Sequence, residues 1–379
     1  MLNISVFTDA YIPKRLVGRN KQLQTLRESI SLFKKNKITA SHILLGVTGS
    51  GKTATLLYAL QEQLIRGEDY LFVDCKEHNT TRKALAELGG AKLRETSTAA
   101  GVIDHLDNKL KEKNRIIILD DIGRVHDFPK LIDMLNALYR KYACPLFITT
   151  NKPMLEIELP HDARMTFFFE KIFFPKYSPL ELKEIVVDRL REAGAQLPDE
   201  IIQHIVALAT PEGSARMALD ITRRMLEIGG QDENSLRRVM RSIELQEFMD
   251  VLNGMQKSEL QVLFYITKTA IMRAFDGKWP DDYEKVKKLE RVGKVRSGDI
   301  VSDLDMNLKT VNRILLHLEK EVGVIHTQMR YGGREGNYKL AWPSDYFMNK
   351  VKNYFEIYQM VADQPLAPTH RSILTYHQY

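Results

Sequence analysis

No apolar run in this sequence approaches the ~20 residues that a bilayer-spanning helix needs. The opening residues, Met1-Leu2-Asn3-Ile4-Ser5, lack the basic flank, apolar stretch and small-residue cleavage site of a signal peptide. A soluble, cytoplasmic protein with no membrane partner is the expectation. Cysteine is scarce too. Cys75 and Cys144 are the only two, and they form neither a CxxC pair nor a metal-binding spacing. That excludes a disulfide scaffold and predicts two buried thiols in a reducing compartment. Internal repeats are missing, and with 44% apolar and 27% charged residues bulk disorder is excluded as well.

What is present is length and positive charge. A chain of 379 residues exceeds one ordinary core and suits two or three domains. The net charge of +6 permits a polyanionic partner. Residues 1–169 hold 25 basic and 19 acidic side chains, 170–249 hold 11 and 14, and 250–379 hold 19 and 16. Both ends are basic and the middle is acidic, so two surfaces flanking an acidic connector are available to nucleic acid.

Apolar runs at 42–46, 70–74, 115–120, 145–150 and 166–173 alternate with helical patterns such as 53–66 and 129–142. This predicts an α/β domain with a five-stranded parallel sheet and flanking helices over 1–174. Strand signals stop after Pro175. Ser178, with Glu181 three residues on, reads as a capping box opening a helix to about 193. Amphipathic stretches at 198–209, 214–228 and 234–253 complete an all-helical domain over 175–253. From 254 to 345 the order is a helix (258–275), a basic run (285–296), two short helices (298–304 and 308–321) and a strand pair (324–330 and 338–342), the order of a winged helix. A C-terminal helix and tail fill 346–379, and residues 362–379 carry no usable signal.

Gly46-Val47-Thr48-Gly49-Ser50-Gly51-Lys52-Thr53 follows an apolar strand and opens a helix, the context that makes a phosphate-binding loop. Backbone N–H groups of Thr48, Gly49, Ser50 and Gly51 would face phosphate oxygens. Lys52 would neutralise the β- and γ-phosphates, and Thr53 would hold Mg²⁺. Asp120 ends a buried strand, where a carboxylate reaches Mg²⁺ directly or through water. Asp121 is placed to orient or deprotonate the attacking water. It is one methylene shorter than the Glu usual there, so a slow ATP-to-ADP switch is expected. Asn151, with Thr150 as a local alternative, stands at the next strand's end, where a side chain can reach the γ-phosphate. Arg216 opens a helix after Gly213-Ser214-Ala215 and is either a γ-phosphate sensor or a solvated helix residue.

Together these features resemble the AAA+ ATPases, and more narrowly the archaeal origin-recognition (Orc-type) replication initiators, from about residue 12 to 342. Supporting segments are Pro13-Lys14-Arg15-Leu16-Val17-Gly18-Arg19, Phe174-Pro175-Lys176-Tyr177-Ser178-Pro179-Leu180-Glu181-Leu182, and Gly213–Arg216. The resemblance implies an AAA+ domain, a helical lid and a C-terminal winged helix. It places Val17 near adenine, Tyr177 and Arg189 in the lid beside the nucleotide, and Arg216 as second sensor. It makes Arg164 an arginine finger toward a neighbouring protomer, although Met165-Thr166 departs from the family pattern. It also implies a DNA-touching segment after the second strand, here holding Arg82 and Lys83, which otherwise read as a solvated helix start.

In the 308–321 helix, Leu308, Val311, Leu315, Leu318 and Val322 fall at helical spacing and are expected to face a core. Lys309, Thr310, Asn312 and Arg313 then face outward near the helix N-terminus, where a recognition helix meets duplex DNA. Arg330 and Arg334 flank the glycines of the wing. The reading is an ATP-regulated initiator that binds duplex origin DNA. From the resemblance come a partner, the replicative minichromosome maintenance helicase, and self-association on DNA. A RuvB-type DNA motor and a nucleotide-gated transcriptional regulator are the alternatives.

Overall fold

A computed structural model of the chain describes every residue except 1, 10, 36–39, 64, 66–68, 93–97, 114, 154, 332–336 and 365–379. It divides into two compact units, residues 1–240 and 241–379.

In the first unit the strands are β1 (His42–Gly46), β2 (Tyr70–Asp74), β3 (Ile116–Asp120), β4 (Leu146–Thr150) and β5 (Glu170–Phe174). All pairings are parallel, in the order β2-β3-β4-β1-β5. Successive residues of the central strands enter opposite cores, as a period of two demands. Leu44, Ile118 and Phe147 pack with Leu26 of α1 (Asn20–Lys34) and Leu56 of α2 (Lys52–Glu62). Ile43, Ile117 and Ile148 pack on the other face with Leu85, Leu106 and Leu135 of α3 (Thr81–Gly89), α4 (Ala99–Glu112) and α5 (Phe128–Tyr142). Burial on both faces is why these strands read as continuous apolar runs.

The fifth strand is shorter than the sequence suggested. After α6 (Leu155–Glu158), Thr166 and Phe167 close the short helix α7 (His161–Phe167), and Phe168 leaves it at φ 43°. Phe167 stacks on Phe169 with centroids 5.2 Å apart and meets Tyr139 at 4.7 Å. The aromatic run is thus satisfied by a helix end and a turn. A short apolar run does not by itself distinguish those from a strand.

The expected helices follow: α8 (Pro179–Ala193), α9 (Asp199–Ala209), α10 (Ala215–Glu227) and α11 (Glu233–Asn253). The Ser178/Glu181 capping box is formed on both sides, a device contributing about 1 kcal/mol.

The second unit contains α12 (Lys257–Ala274), α13 (Tyr283–Lys287), β6 (Val295–Arg296), α14 (Ser297–Asp303), α15 (Leu308–His317), β7 (Ile325–Arg330), β8 (Tyr338–Pro343), α16 (Asp345–Asn353) and α17 (Phe355–Ala362). Its antiparallel sheet has the order β6-β8-β7, so a third strand lies hidden at the end of the basic run. Around it Val311, Leu315 and Leu318 are fully buried, as their spacing predicts, and Val322 is partly buried. Leu308 is 52% exposed, contrary to expectation. It is the first residue after the Asn307 cap, and no preceding turn exists to carry its side chain toward the core. Helix α15 also stops short of residue 321. A single wide turn, Leu318–Val322, follows, and Gly323 ends it at φ 73°.

Among the described residues no helix is long and apolar enough to cross a membrane. Cys75 and Cys144 are free and buried, and burial pushes both thiols up to about 12.

His42 opens β1 with its imidazole completely buried, Nε2 at 2.5 Å from Ser29 Oγ and Nδ1 at 3.8 Å from Glu170 Oε2. Desolvation dominates and lowers its pKa from 6.5 to about 4. The unfolded chain therefore takes up this proton first. The stabilisation is complete above pH 6.5 and declines as pH falls toward 4. Between pH 7 and 4.5 the fold should lose on the order of 2–3 kcal/mol from this group. Urea unfolding at the two pH values should show that slope, and His42→Gln should flatten it.

Candidate nucleotide site and candidate nucleic-acid interface

β1 delivers the chain into a tight loop at Gly46, and α2 starts at Lys52. Gly49 (φ 78°) and Gly51 (φ 87°) are left-handed, and neither has room for a side chain. A Cβ on Gly49 would stand 2.1 Å from Ser214 Oγ, and one on Gly51 2.4 Å from the Tyr177 hydroxyl. The loop is therefore pressed against the helical lid. The Ala215 N–H donates to the Gly49 carbonyl at 3.1 Å.

Lys52 Nζ donates to the carbonyls of Gly46 and Val47 at 2.8 and 2.9 Å. Burial lowers its pKa, against Asp121 and then Asp120, which raise it. Thr53 Oγ1 donates to Asp120 Oδ1 at 2.5 Å, so the two groups expected at one Mg²⁺ already converge. Thr149 Oγ1 donates to the same oxygen at 2.6 Å and accepts the Asp121 N–H at 2.9 Å. Burial pushes Asp120 up from the usual carboxylate range, opposed by these two hydroxyls. Asp121 sits at φ 58°, with Oδ2 3.8 Å from Lys76 Nζ.

These groups line a cleft of about 1040 Å³, open mouth included. Val17, Thr48, Gly49, Gly51, Lys52, Thr53, Asp120, Asp121, Tyr177, Arg189 and Arg216 all reach it, as do the unforeseen Asp9, Tyr11, Lys76 and Thr149. Arg216 Nε pairs with Asp9 Oδ1 at 3.0 Å. Arg189 pairs with Glu192 at 3.0 Å and lies 4.9 Å from the Tyr11 ring centroid. Ser50 departs from expectation: its Oγ is buried, points toward Gly46 and has no hydrogen-bond partner among the described residues. Its N–H bonds the Val47 carbonyl at 3.2 Å. Asn151 is exposed beyond the end of β4 and does not line the cleft. Thr149, two residues earlier on the buried strand, holds the place beside Asp120. Thr150 Oγ1 accepts the Lys152 N–H at 3.1 Å instead. Arg164 lies half-buried on α7, away from this cleft, with Nε unpartnered among the described residues.

Arg19, at the end of the segment Pro13–Arg19, has a role that no local sequence pattern signals. Arg19 is 1% exposed. It donates to the carbonyls of Gly18, Ser50 and Pro175 at 2.9, 3.0 and 2.9 Å. Its guanidinium lies 3.6 Å from the Tyr177 ring centroid. One cation thus ties the phosphate loop to the connection entering the lid.

On α3, Arg82 and Lys83 are exposed in the first turn, where Thr80 Oγ1 accepts the Lys83 N–H. In the second unit, Asn307 Oδ1 caps α15 by accepting the Thr310 N–H at 2.8 Å. Lys309 and Arg313 are exposed, and Thr310 and Asn312 half-buried. Arg330 is exposed at the end of β7, and Arg334 lies outside the described residues. Lys294 adds an unforeseen cation, 4.2 Å from the Trp342 ring centroid.

Sheet order, phosphate loop, paired strand-end acid and helical lid define an AAA+ module, carried with a winged-helix unit. The comparisons agree. A family model described as an AAA domain matches residues 39–154. The ORC1-type DNA replication protein of Thermococcus kodakarensis is 24% identical, over 84% of this chain and 87% of its own. A solved structure of the Aeropyrum pernix ORC1 protein in complex with DNA superposes with a TM-score of 0.69 at 21% identity, covering 96% and 97% of the two chains. The Aeropyrum pernix ORC2 protein, in ADPNP–ADP complexes, gives 0.53 at 15%, covering 94% and 98%. The chain is thus similar over most of its length to archaeal ORC1-type DNA replication proteins, and its residues 39–154 match an AAA domain.

Proposed function

We propose that the protein is an ATP-regulated DNA replication initiator that binds duplex origin DNA and recruits or loads the replicative helicase. One observation supports this above others. Loop, strand-end acid and lid arginine surround one cleft in a chain aligned over 84% of its length with an ORC1-type DNA replication protein. The related structures in complex with DNA and with nucleotides support the two ligand classes.

The residues present fit a Mg²⁺–nucleotide. Thr53 and Asp120 would hold the ion, which would draw negative charge off the β- and γ-phosphates. Lys52 and the loop N–H groups bind the phosphate chain. Val17, Tyr177 and Arg189 border the nucleoside side, and Arg216 exchanges Asp9 for the γ-phosphate. Residues 1–174 would then form the base, 175–253 the lid and 254–345 the DNA-binding domain. Arg164 would act on a neighbouring protomer when copies assemble on DNA. Arg82, Lys83, Lys309, Thr310, Arg330 and Arg334 would contact phosphates, and Asn312 and Arg313 base edges.

Asp121, short and drawn to Lys76, makes a slow switch. Asp121→Glu is expected to raise the single-turnover hydrolysis rate roughly tenfold or more, since a placed general base contributes ~10²–10⁴-fold. An unchanged rate would remove Asp121 from the base's position. Duplex binding should weaken steeply between low and moderate salt, because each phosphate contact releases counterions. Fluorescence anisotropy across a salt series measures this, and a flat series would count against the interface. The deciding experiment is genome-wide mapping of bound sites with and without ATP. Confinement to one or a few origins supports the initiator, and spread over promoters would replace it with a regulator.

A further inference from the structure

Helix α15 presents an outward face that combines two leucines with cations. Leu308 and Leu316 are 52% and 53% exposed. Their spacing of two turns, with Asn312 between them at i+4, places the three along one side of the helix. Lys309 and Arg313 are exposed beside them, and neither forms an ion pair with a described residue. Val311, Ile314 and Leu315 form the buried stripe of the helix, with Leu308 at its edge. Single exposed leucines need no explanation. Two bracketing an amide on a cation-flanked helix do, because water gains nothing from them and the charges beside them disfavour an apolar protein partner.

We propose that this face reads A·T base pairs in a duplex major groove, with Leu308 and Leu316 packing on thymine 5-methyl groups and Asn312 bonding adenine. The inference rests on the reading of this unit as a duplex-DNA binder and adds what it selects. In the major groove the thymine methyl is the one apolar group on a base edge, and a side-chain amide matches adenine N6 and N7. The bases along this helix are therefore distinguished by a methyl group rather than by a guanine-reading arginine alone. Lys309 and Arg313 supply the electrostatic attraction that holds the face in the groove.

The test selects a tight-binding duplex from a random-sequence pool with the full chain, then remakes it with deoxyuridine for every thymidine. This removes the methyls and keeps the base pairing. Wild-type affinity should fall about fourfold per methyl contacted, the worth of one buried methyl group. Leu308→Ala and Leu316→Ala should each narrow the thymidine-to-deoxyuridine ratio, and the double variant should bring it to about one. A wild-type protein indifferent to the replacement would overturn the proposal. An equal loss in wild type and double variant would also overturn it, by assigning the effect to groove shape. If no duplex is selected at all, the DNA-binding reading itself fails, a result distinct from the other two.

Discussion

Lys52→Ala is expected to lower ATP affinity by about a hundredfold or more, and with it roughly 3 kcal/mol of ligand-induced stabilisation at saturating nucleotide. The ammonium group is in place before any ligand arrives: it is buried and held by the Gly46 and Val47 carbonyls. Burial makes its charge costly and lowers its pKa, and Asp121 and then Asp120 oppose that shift. Its charge is thus available where phosphate charge accumulates. Thermal unfolding with and without ATP–Mg²⁺ checks the result. Because Lys52 also braces the loop, the ligand-free melting temperature of the variant separates a lost phosphate contact from a loosened loop. Affinity within threefold of wild type would remove Lys52 from the phosphate site.

The second large effect is expected at Arg19. Arg19→Met should destabilise the first unit by about 3 kcal/mol, in the range found when a buried, hydrogen-bonded charge is removed. Three carbonyls on three different segments would lose their donor, and Tyr177 would lose the cation on its ring face. Arg19→Lys should recover little, because an ammonium cannot reproduce the planar fork that reaches Ser50 and Pro175 together. Urea unfolding measures both variants. A loss below about 0.5 kcal/mol, the usual bound for an inconsequential surface change, would show that these bonds are redundant. Since the Tyr177 hydroxyl abuts Gly51, nucleotide affinity should fall alongside stability.

How much of this was legible in the sequence depends on the range of the signal. The strand-loop-helix at 42–62, the Ser178/Glu181 cap and the winged-helix order are local patterns, and the structure reproduces them. Thr149 was missed because Asn151 is the more polar residue, while the choice between them depends on where β4 leaves the sheet. Residues 166–169 misled because an aromatic run satisfies a turn as well as a strand. Leu308 matched the helical spacing, but the spacing does not say that it stands before the first full turn. Arg19, Asp9 and Lys76 gain their meaning from partners at Pro175, Arg216 and Asp121, and no local pattern encodes those meetings.

The stretch ahead of the first strand fastens to the lid at several points. The Asn3 N–H donates to the Ala193 carbonyl, Arg15 pairs with Glu184 and Asp188, and Asp9 pairs with Arg216. A protein trimmed to start at β1 would keep every residue of the glycine-rich loop yet lose one side of the cleft and the strap across α8 and α10. Conversely, a fluorophore attached near residue 3 would ride with the lid, giving an optical reporter of lid movement without any label in the nucleotide site.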